Sequence, residues 1–260
     1  MSAPAASSLM LASIVPPGVE VAEVFGDGCD HAPLSAIEEA AIRDAAPNRR
    51  REFTGGRACA RRAMARAGFQ PVPVLPGASG APAWPPGVVG SLTHCDGYRA
   101  CAIGRAGMFA AIGIDAEPHD ALPAGVLPRV AIESERPALA VLAAQAPGIR
   151  WERILFSAKE SVFKAWFPAT GRWLGFSGAE VALDPAGTFA ARLLVPGPVV
   201  GGSPLTTYHG RWIVEHGLIA TAVVVPRDAR PGSAGVVSHP SHSRSAAAHD
   251  GSRRDPSRPP

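Results

Sequence analysis

The stretch Trp151–Phe167, W-E-R-I-L-F-S-A-K-E-S-V-F-K-A-W-F, constrains this chain more than any other. Its apolar residues recur with helical spacing. At about 100° per residue, Leu155, Phe156, Val162, Phe163, Trp166 and Phe167 form one broad apolar arc. Lys159 falls inside that arc and Glu160 at its edge. Lys164 stands beside Glu160 on the polar side, and Ser157 and Ser161 fill the opposite face. Lys159 and Lys164 are the only lysines in the chain. An unpaired charge on a buried stripe is costly, and a bound anion together with a metal ion would explain the lysine and the carboxylate. The alternative is an ordinary amphipathic helix with a snorkelling lysine and a Glu160–Lys164 pair at i,i+4.

A length of 260 residues suggests one large domain or two smaller ones. With 47% apolar residues the chain can bury a sizeable core. No uncharged apolar run reaches the roughly 18 residues of a membrane span, and the N-terminus lacks the basic start of a signal peptide. The four cysteines, Cys29, Cys59, Cys95 and Cys101, form no C-x-x-C pair and no zinc-type spacing. Reduced thiols in a cytoplasmic protein are the expectation. The net charge of +3 owes much to residues 228–260, which hold five arginines against three aspartates. Basic residues are not interleaved with aromatics along a stripe, which argues against a nucleic-acid partner.

Along the chain, Val19 to Phe25 reads as an opening strand. Ser35, with Glu38 three residues on, gives a capping-box start to a helix reaching about Ala46. A second helix, from Asn48 to about Ala67, opens N-R-R-R-E-F-T-G-G-R. Gly55 and Gly56 inside it cost roughly 1 kcal/mol each relative to alanine, which close approach of a ligand or another backbone would explain. Residues 70–87 form a Pro- and Gly-rich loop. Val88 to His94 is a strand ending in a polar corner, and Tyr98 to Ile103 returns from it. Met108 to Glu117 is the next strand. Its period of two sets Gly113, Asp115 and Glu117 on one face. Two carboxylates there suit a hard divalent cation, with Gly113 leaving the face open. A loop follows over residues 118–128, then helices around Ser134 to Ala146. Beyond the two-lysine helix, Phe176–Leu183, Gly187–Val195, Leu205–Val214 and Leu218–Val225 read as an antiparallel sheet. Residues 227–260 have the composition of a disordered tail.

Five stretches in this order carry a resemblance: R-R-R-E-F-T-G-G-R (Arg49–Arg57), G-A-P-A-W-P (Gly80–Pro85), G-S-L-T-H-C (Gly90–Cys95), I-G-I-D-A-E (Ile112–Glu117) and F-S-A-K-E-S-V-F-K-A-W (Phe156–Trp166). Over roughly residues 10 to 226, the chain resembles the Sfp-type 4′-phosphopantetheinyl transferases, and most of all the actinobacterial members that prime polyketide and nonribosomal peptide synthases. The resemblance implies an α/β (α+β) fold of two similar halves about a pseudo-twofold axis, with the active site in the cleft between them. The halves would be residues 1–117 and 118–226, followed by the 227–260 tail. It implies a monomeric enzyme that transfers phosphopantetheine from coenzyme A to a serine of an apo carrier protein and releases adenosine 3′,5′-bisphosphate.

By the same resemblance, Asp115, Glu117 and Glu160 hold Mg²⁺, with Mn²⁺ as a substitute. Glu160, or a water that it orients beside the metal, takes the serine proton. Lys159 and Lys164 neutralise the pyrophosphate. Thr93 and His94 contact the nucleotide phosphates, and Arg49 and Arg57 grip the adenine–ribose–phosphate end. The family's pattern often has a lysine in the loop before G-x-P, where this chain has Pro76. Leu122, Val126, Leu127, Arg129 and Arg136 are candidates for the carrier-protein surface. Two other readings stand beside the transferase. One is a metal-dependent phosphohydrolase of nucleotide-like diphosphates, which needs a similar set of carboxylates and lysines. The other is an inactive coenzyme A-binding scaffold.

Overall fold

The structure, a computed structural model, describes residues 10–26, 32–77 and 80–228. The expectations for the extreme N-terminus, for Cys29 and for residues 229–260 concern positions outside these. Helix α1 (Ala36–Ala41) begins with the expected capping box: the Ser35 hydroxyl accepts from Glu38 N–H, and the Glu38 carboxylate accepts from Ser35 N–H. It stops at Ile42 rather than Ala46, and the Ile42 carbonyl is taken by Arg50. Helix α2 (Pro47–Arg66) has Pro47 in its first turn, where a missing N–H leaves no bond unmade. Gly55 is explained differently from the expectation. A Cβ there would lie 2.6 Å from Cδ of Arg99, so the glycine makes room for a neighbouring strand's side chain.

The first half is a three-stranded antiparallel sheet, β1 (Val19–Phe25), β5 (Tyr98–Arg105) and β4 (Val88–Cys95), in that order across the sheet. Short paired segments β2 (Leu75–Pro76) and β3 (Pro82–Ala83) lie in the loop before it. Helix α2 covers this sheet, with Cys59, Ala60, Ala63 and Met64 against Ala22, Val88, Cys101 and Ile103. The second half has five strands in the order β6 (Phe109–Pro118), β12 (Leu218–Pro226), β11 (Thr207–Glu215), β8 (Thr188–Leu193) and β7 (Ala179–Asp184), so that β6, expected within the first half of residues 1–117, pairs in the second sheet. Two-residue strands β9 (Val199–Val200) and β10 (Ser203–Pro204) pair beside it. Phe176–Gly178, expected to open β7, is a 3₁₀ turn. Between β6 and β7 run α3 (Leu127–Val130), a 3₁₀ turn at Glu133–Glu135, α4 (Arg136–Gln145) and α5 (Trp151–Thr170). Among the described residues no helix is long and apolar enough to cross a membrane.

Each half thus lays one twenty-residue helix on an antiparallel sheet. The halves meet where β4 runs beside β6. No backbone ladder joins those strands; instead the Ser91 and Thr93 hydroxyls accept the N–H groups of Ile114 and Ala116, at 3.1 and 2.9 Å. Two otherwise unsatisfied buried donors are answered in this way. A shared apolar cluster, including Leu11, Ile14, Val21, Tyr98, Ile112 and Ala220, spans both halves.

Helix α5 is buried more widely than its apolar arc implies. Ser157 and Ser161, expected on the polar face, are fully buried. Ser157 Oγ lies 3.0 Å from Thr221 Oγ1, and Thr221 Oγ1 donates to Ser157 O. A Cβ on Gly113 would fall 1.9 Å from Ser161 O. The small residues of α5 are therefore its sheet-facing side, and Gly113 exists to admit the helix backbone rather than to leave space for an ion.

Candidate active site

Asp115 and Glu117 follow Gly113 on the same face of β6, so they emerge under α5. Lys164 reaches down from the helix, and its Nζ is 2.8 Å from Asp115 Oδ1 and 3.5 Å from Thr93 Oγ1. Thr93 lies 3.4 Å from the same carboxylate oxygen. Asp115 Oδ2 is buried without a hydrogen-bond partner. Glu117 accepts from Arg153 Nη1 at 2.9 Å. Burial first, then the neighbouring Asp115 charge, pushes Glu117 up to about 7 against the pull of Arg153. Burial and Asp115 also raise Glu160, which Lys164 counteracts in part. Lys164 bonds Asp115 instead of forming the Glu160–Lys164 pair of the alternative reading.

The donor set fits a hard divalent cation in kind: three carboxylates, one with an unanswered buried oxygen. It is not a closed cage, since among the described residues no three His, Cys, Asp or Glu side chains converge as a metal-binding group. A cation would have to draw Glu117 and Glu160 inward and compete with Lys164 and Arg153.

The predicted phosphate-binding residues do not all converge. Lys159 and Lys164 are five residues apart, about 140° around the helix, and they point to different sides. Lys159 Nζ donates to Val130 O, Glu135 Oε2 and Phe176 O at 2.9, 2.8 and 2.8 Å. An ammonium has three N–H groups, and all three are engaged. A pyrophosphate contact for Lys159 therefore does not fit this geometry. Adjacent strand residues face opposite ways, so Thr93 turns to Asp115 while His94 turns to α2. There His94 Nε2 is 3.1 Å from Glu52 Oε2, and Arg49 Nη1 lies 3.5 Å from the same oxygen. Burial holds His94 below its ordinary value. Arg57 is buried, donates through Nε to Val74 O at 2.7 Å and lies over the Phe53 ring at 3.9 Å. Desolvation lowers it to about 10, so it stays charged at neutral pH. It braces the loop containing Pro76. Beside Glu160 is a cavity of about 110 Å³ lined by Phe163, Trp173, Leu174 and Phe176.

Sequence reasoning missed Glu52, Glu135, Arg153 and Ser91. Only Arg153 carried a usable signal, because two turns of helix separate it from Glu160 in a stretch already singled out. Arg153 also donates to the carbonyls of Asp120 and Ala121, tying the segment after β6 to α5. Of the expected carrier-contact residues, Arg129 and Arg136 are exposed, whereas Leu122, Val126 and Leu127 are partly buried.

The family model described as 4′-phosphopantetheinyl transferase N-terminal domain matches residues 37–104, and that of the 4′-phosphopantetheinyl transferase superfamily matches residues 111–214. The chain is 54% identical to 4′-phosphopantetheinyl transferase Svp of Streptomyces mobaraensis over 220 residues, covering 83% of this chain and 89% of that protein. It is 44% identical to 4′-phosphopantetheinyl transferase PptT of Mycobacterium tuberculosis, covering 83% and 98%. With 4′-phosphopantetheinyl transferase Npt of Nocardia iowensis the identity is 45%, covering 82% and 99%. This α+β chain, with a helix laid on a sheet in each half and a family model matching each, belongs to the 4′-phosphopantetheinyl transferase superfamily.

Proposed function

We propose that this enzyme transfers 4′-phosphopantetheine from coenzyme A to a serine of an apo acyl or peptidyl carrier protein, with Asp115, Glu117, Glu160 and Lys164 as its reaction centre. The observation that carries the reading is the Lys164–Asp115 contact beside an unanswered Asp115 oxygen, at the junction of two family-matched halves. The serine Oγ attacks the phosphorus that bears pantetheine. A new O–P bond forms, the P–O bond to the bridging oxygen breaks, and adenosine 3′,5′-bisphosphate departs with the electron pair. Glu160 receives the serine proton, directly or through one water. Lys164 offers positive charge where the phosphates would lie.

Asp115, Glu117 and Glu160 would hold Mg²⁺ or Mn²⁺, which neutralises phosphate charge when bound. Arg49 and His94, on the rim, would meet the nucleotide end, and Arg57 would hold the loop below it. Arg129 and Arg136, both exposed, would meet an acidic carrier surface. We read the enzyme as a cytoplasmic monomer; Cys95 and Cys101 enter no disulfide among the described residues, in keeping with a reducing compartment. The test is mass spectrometry of apo acyl and peptidyl carrier proteins incubated with coenzyme A, Mg²⁺ and the enzyme. A gain of one phosphopantetheine on the carrier supports the reading. No gain on several carriers, with coenzyme A binding intact, contradicts it.

A further inference from the structure

Lys159 is the least expected side chain in the molecule. Its charge lies inside α5's packed surface, with 3% of the side chain exposed against 2% for its partner Glu135. Glu135 is bonded on every side: Oε2 accepts from Ile132 N–H and Lys159, and Oε1 accepts from Val181 N–H at 2.7 Å. Lys159 also holds the carbonyl of Val130, five residues before Glu135, and that of Phe176.

The first half repeats this arrangement around a carboxylate whose hydrogen-bond partners among the described residues include none of Asp115, Glu117, Glu160 and Lys164. Glu38 is buried and accepts from Ser35 N–H, three residues before it, as Glu135 does from Ile132. It accepts from Val74 N–H, on the segment after α2, as Glu135 does from Val181 after α5. It is met by Arg61 of the long helix at 3.2 Å, and Arg61 also holds the carbonyl of Pro33, five residues before Glu38. Each half thus ties its long helix, the turn before a shorter helix and the chain that follows the long helix to one buried carboxylate. The recurrence identifies the cation as part of the fold, since the Arg61 copy stands at no reaction centre.

We infer that Lys159 is a positioning residue and not an anion ligand: through Glu135 and Phe176 O it fixes the wall of the cavity beside Glu160. This rests on the proposed transferase reading for its catalytic consequence. Phe176 lines that cavity along with Glu160 and Lys159 itself, and so does Ala179, which opens β7 two residues before Val181. Releasing the clasp lets this wall move relative to the adjacent helix residue Glu160, while Lys164 and the nucleotide-end arginines keep their places.

The test compares Lys159→Met and Glu135→Gln with the wild type, below the melting transition of each. Both variants are expected to lose about tenfold or more in kcat while the Kd for coenzyme A changes by less than about threefold. Amide hydrogen exchange at Val181 should accelerate in both. The double variant should be no slower than the slower single, because the two residues act as one unit. Arg61→Met is the control: it should accelerate exchange at Val74 and leave exchange at Val181 as in the wild type. Should Lys159→Met not fold, Glu135→Gln carries the test alone by the same kcat, Kd and Val181 exchange readouts. A Lys159 variant that weakens coenzyme A binding about tenfold while Glu135→Gln does not would overturn the inference, and so would unchanged exchange at Val181. A wild type that transfers nothing overturns the proposed function instead, and the exchange comparison then decides the inference alone.

Discussion

Lys164 Nζ lies 2.8 Å from Asp115 Oδ1 and bridges α5 to β6, while the other oxygen of that carboxylate is buried and unanswered. The pair fixes the helix over the strand and leaves one anionic site unfilled. Replacing Lys164 with methionine leaves the buried Asp115 charge without its cation. We expect a loss of about 1–3 kcal/mol in denaturant unfolding and a fall of about a hundredfold or more in transfer. Stability and turnover both unchanged would show that the contact matters to neither.

Gly113 sets how closely α5 approaches. A Cβ would overlap Ser161 O at 1.9 Å, and backbone cannot give way cheaply. Gly113→Ala should destabilise the protein by about 1–3 kcal/mol through overpacking. It should also lower kcat, because α5 carries Glu160 and Lys164 over Asp115. A variant with wild-type melting and turnover would mean that the helix tolerates displacement.

Most of the element order was legible because periodicity is a local signal. The two long helices, the Ser35–Glu38 capping box and the strand phase of Gly113, Asp115 and Glu117 follow from it. What could not be read depends on partners distant in sequence. Ser157 and Ser161 look like a solvated face until Gly113 and Thr221 are set against them. Lys159 looks free until Glu135, 24 residues earlier, is brought to it. Thr93 and His94 share a motif, but strand alternation sends one to Asp115 and the other to Glu52.

His94 offers a test by titration. Burial lowers its pKa from the ordinary 6.5, Glu52 opposes the shift, and Lys164 and Arg49 add to it. Glu52→Gln should therefore lower it further, and binding of the anionic coenzyme A nucleotide should raise it. Both are measured by NMR titration of the imidazole. Because the folded value lies below the unfolded one, the unfolded chain takes up this proton first. The histidine's contribution to stability is full above about pH 6.5 and is lost as pH falls below it. A rise on Glu52→Gln would refute the assigned contact.

Cation binding can be followed without turnover. Titration of the wild-type enzyme with Mn²⁺, monitored by electron paramagnetic resonance in the presence of coenzyme A, should reveal a bound ion. Asp115→Asn should lose it, since the unanswered Oδ2 becomes part of a neutral amide. Equal binding by both proteins would place the ion elsewhere.

The most direct measurement compares wild type and Asp115→Ala in one experiment, with carrier-protein mass recorded over time and coenzyme A affinity measured on the same samples. The account predicts that wild type adds one phosphopantetheine to the carrier serine. Asp115→Ala should lose about a hundredfold or more in rate while its Kd for coenzyme A moves only a few-fold. Equal rates for the two proteins would contradict the placement of the reaction centre at Asp115, Glu160 and Lys164.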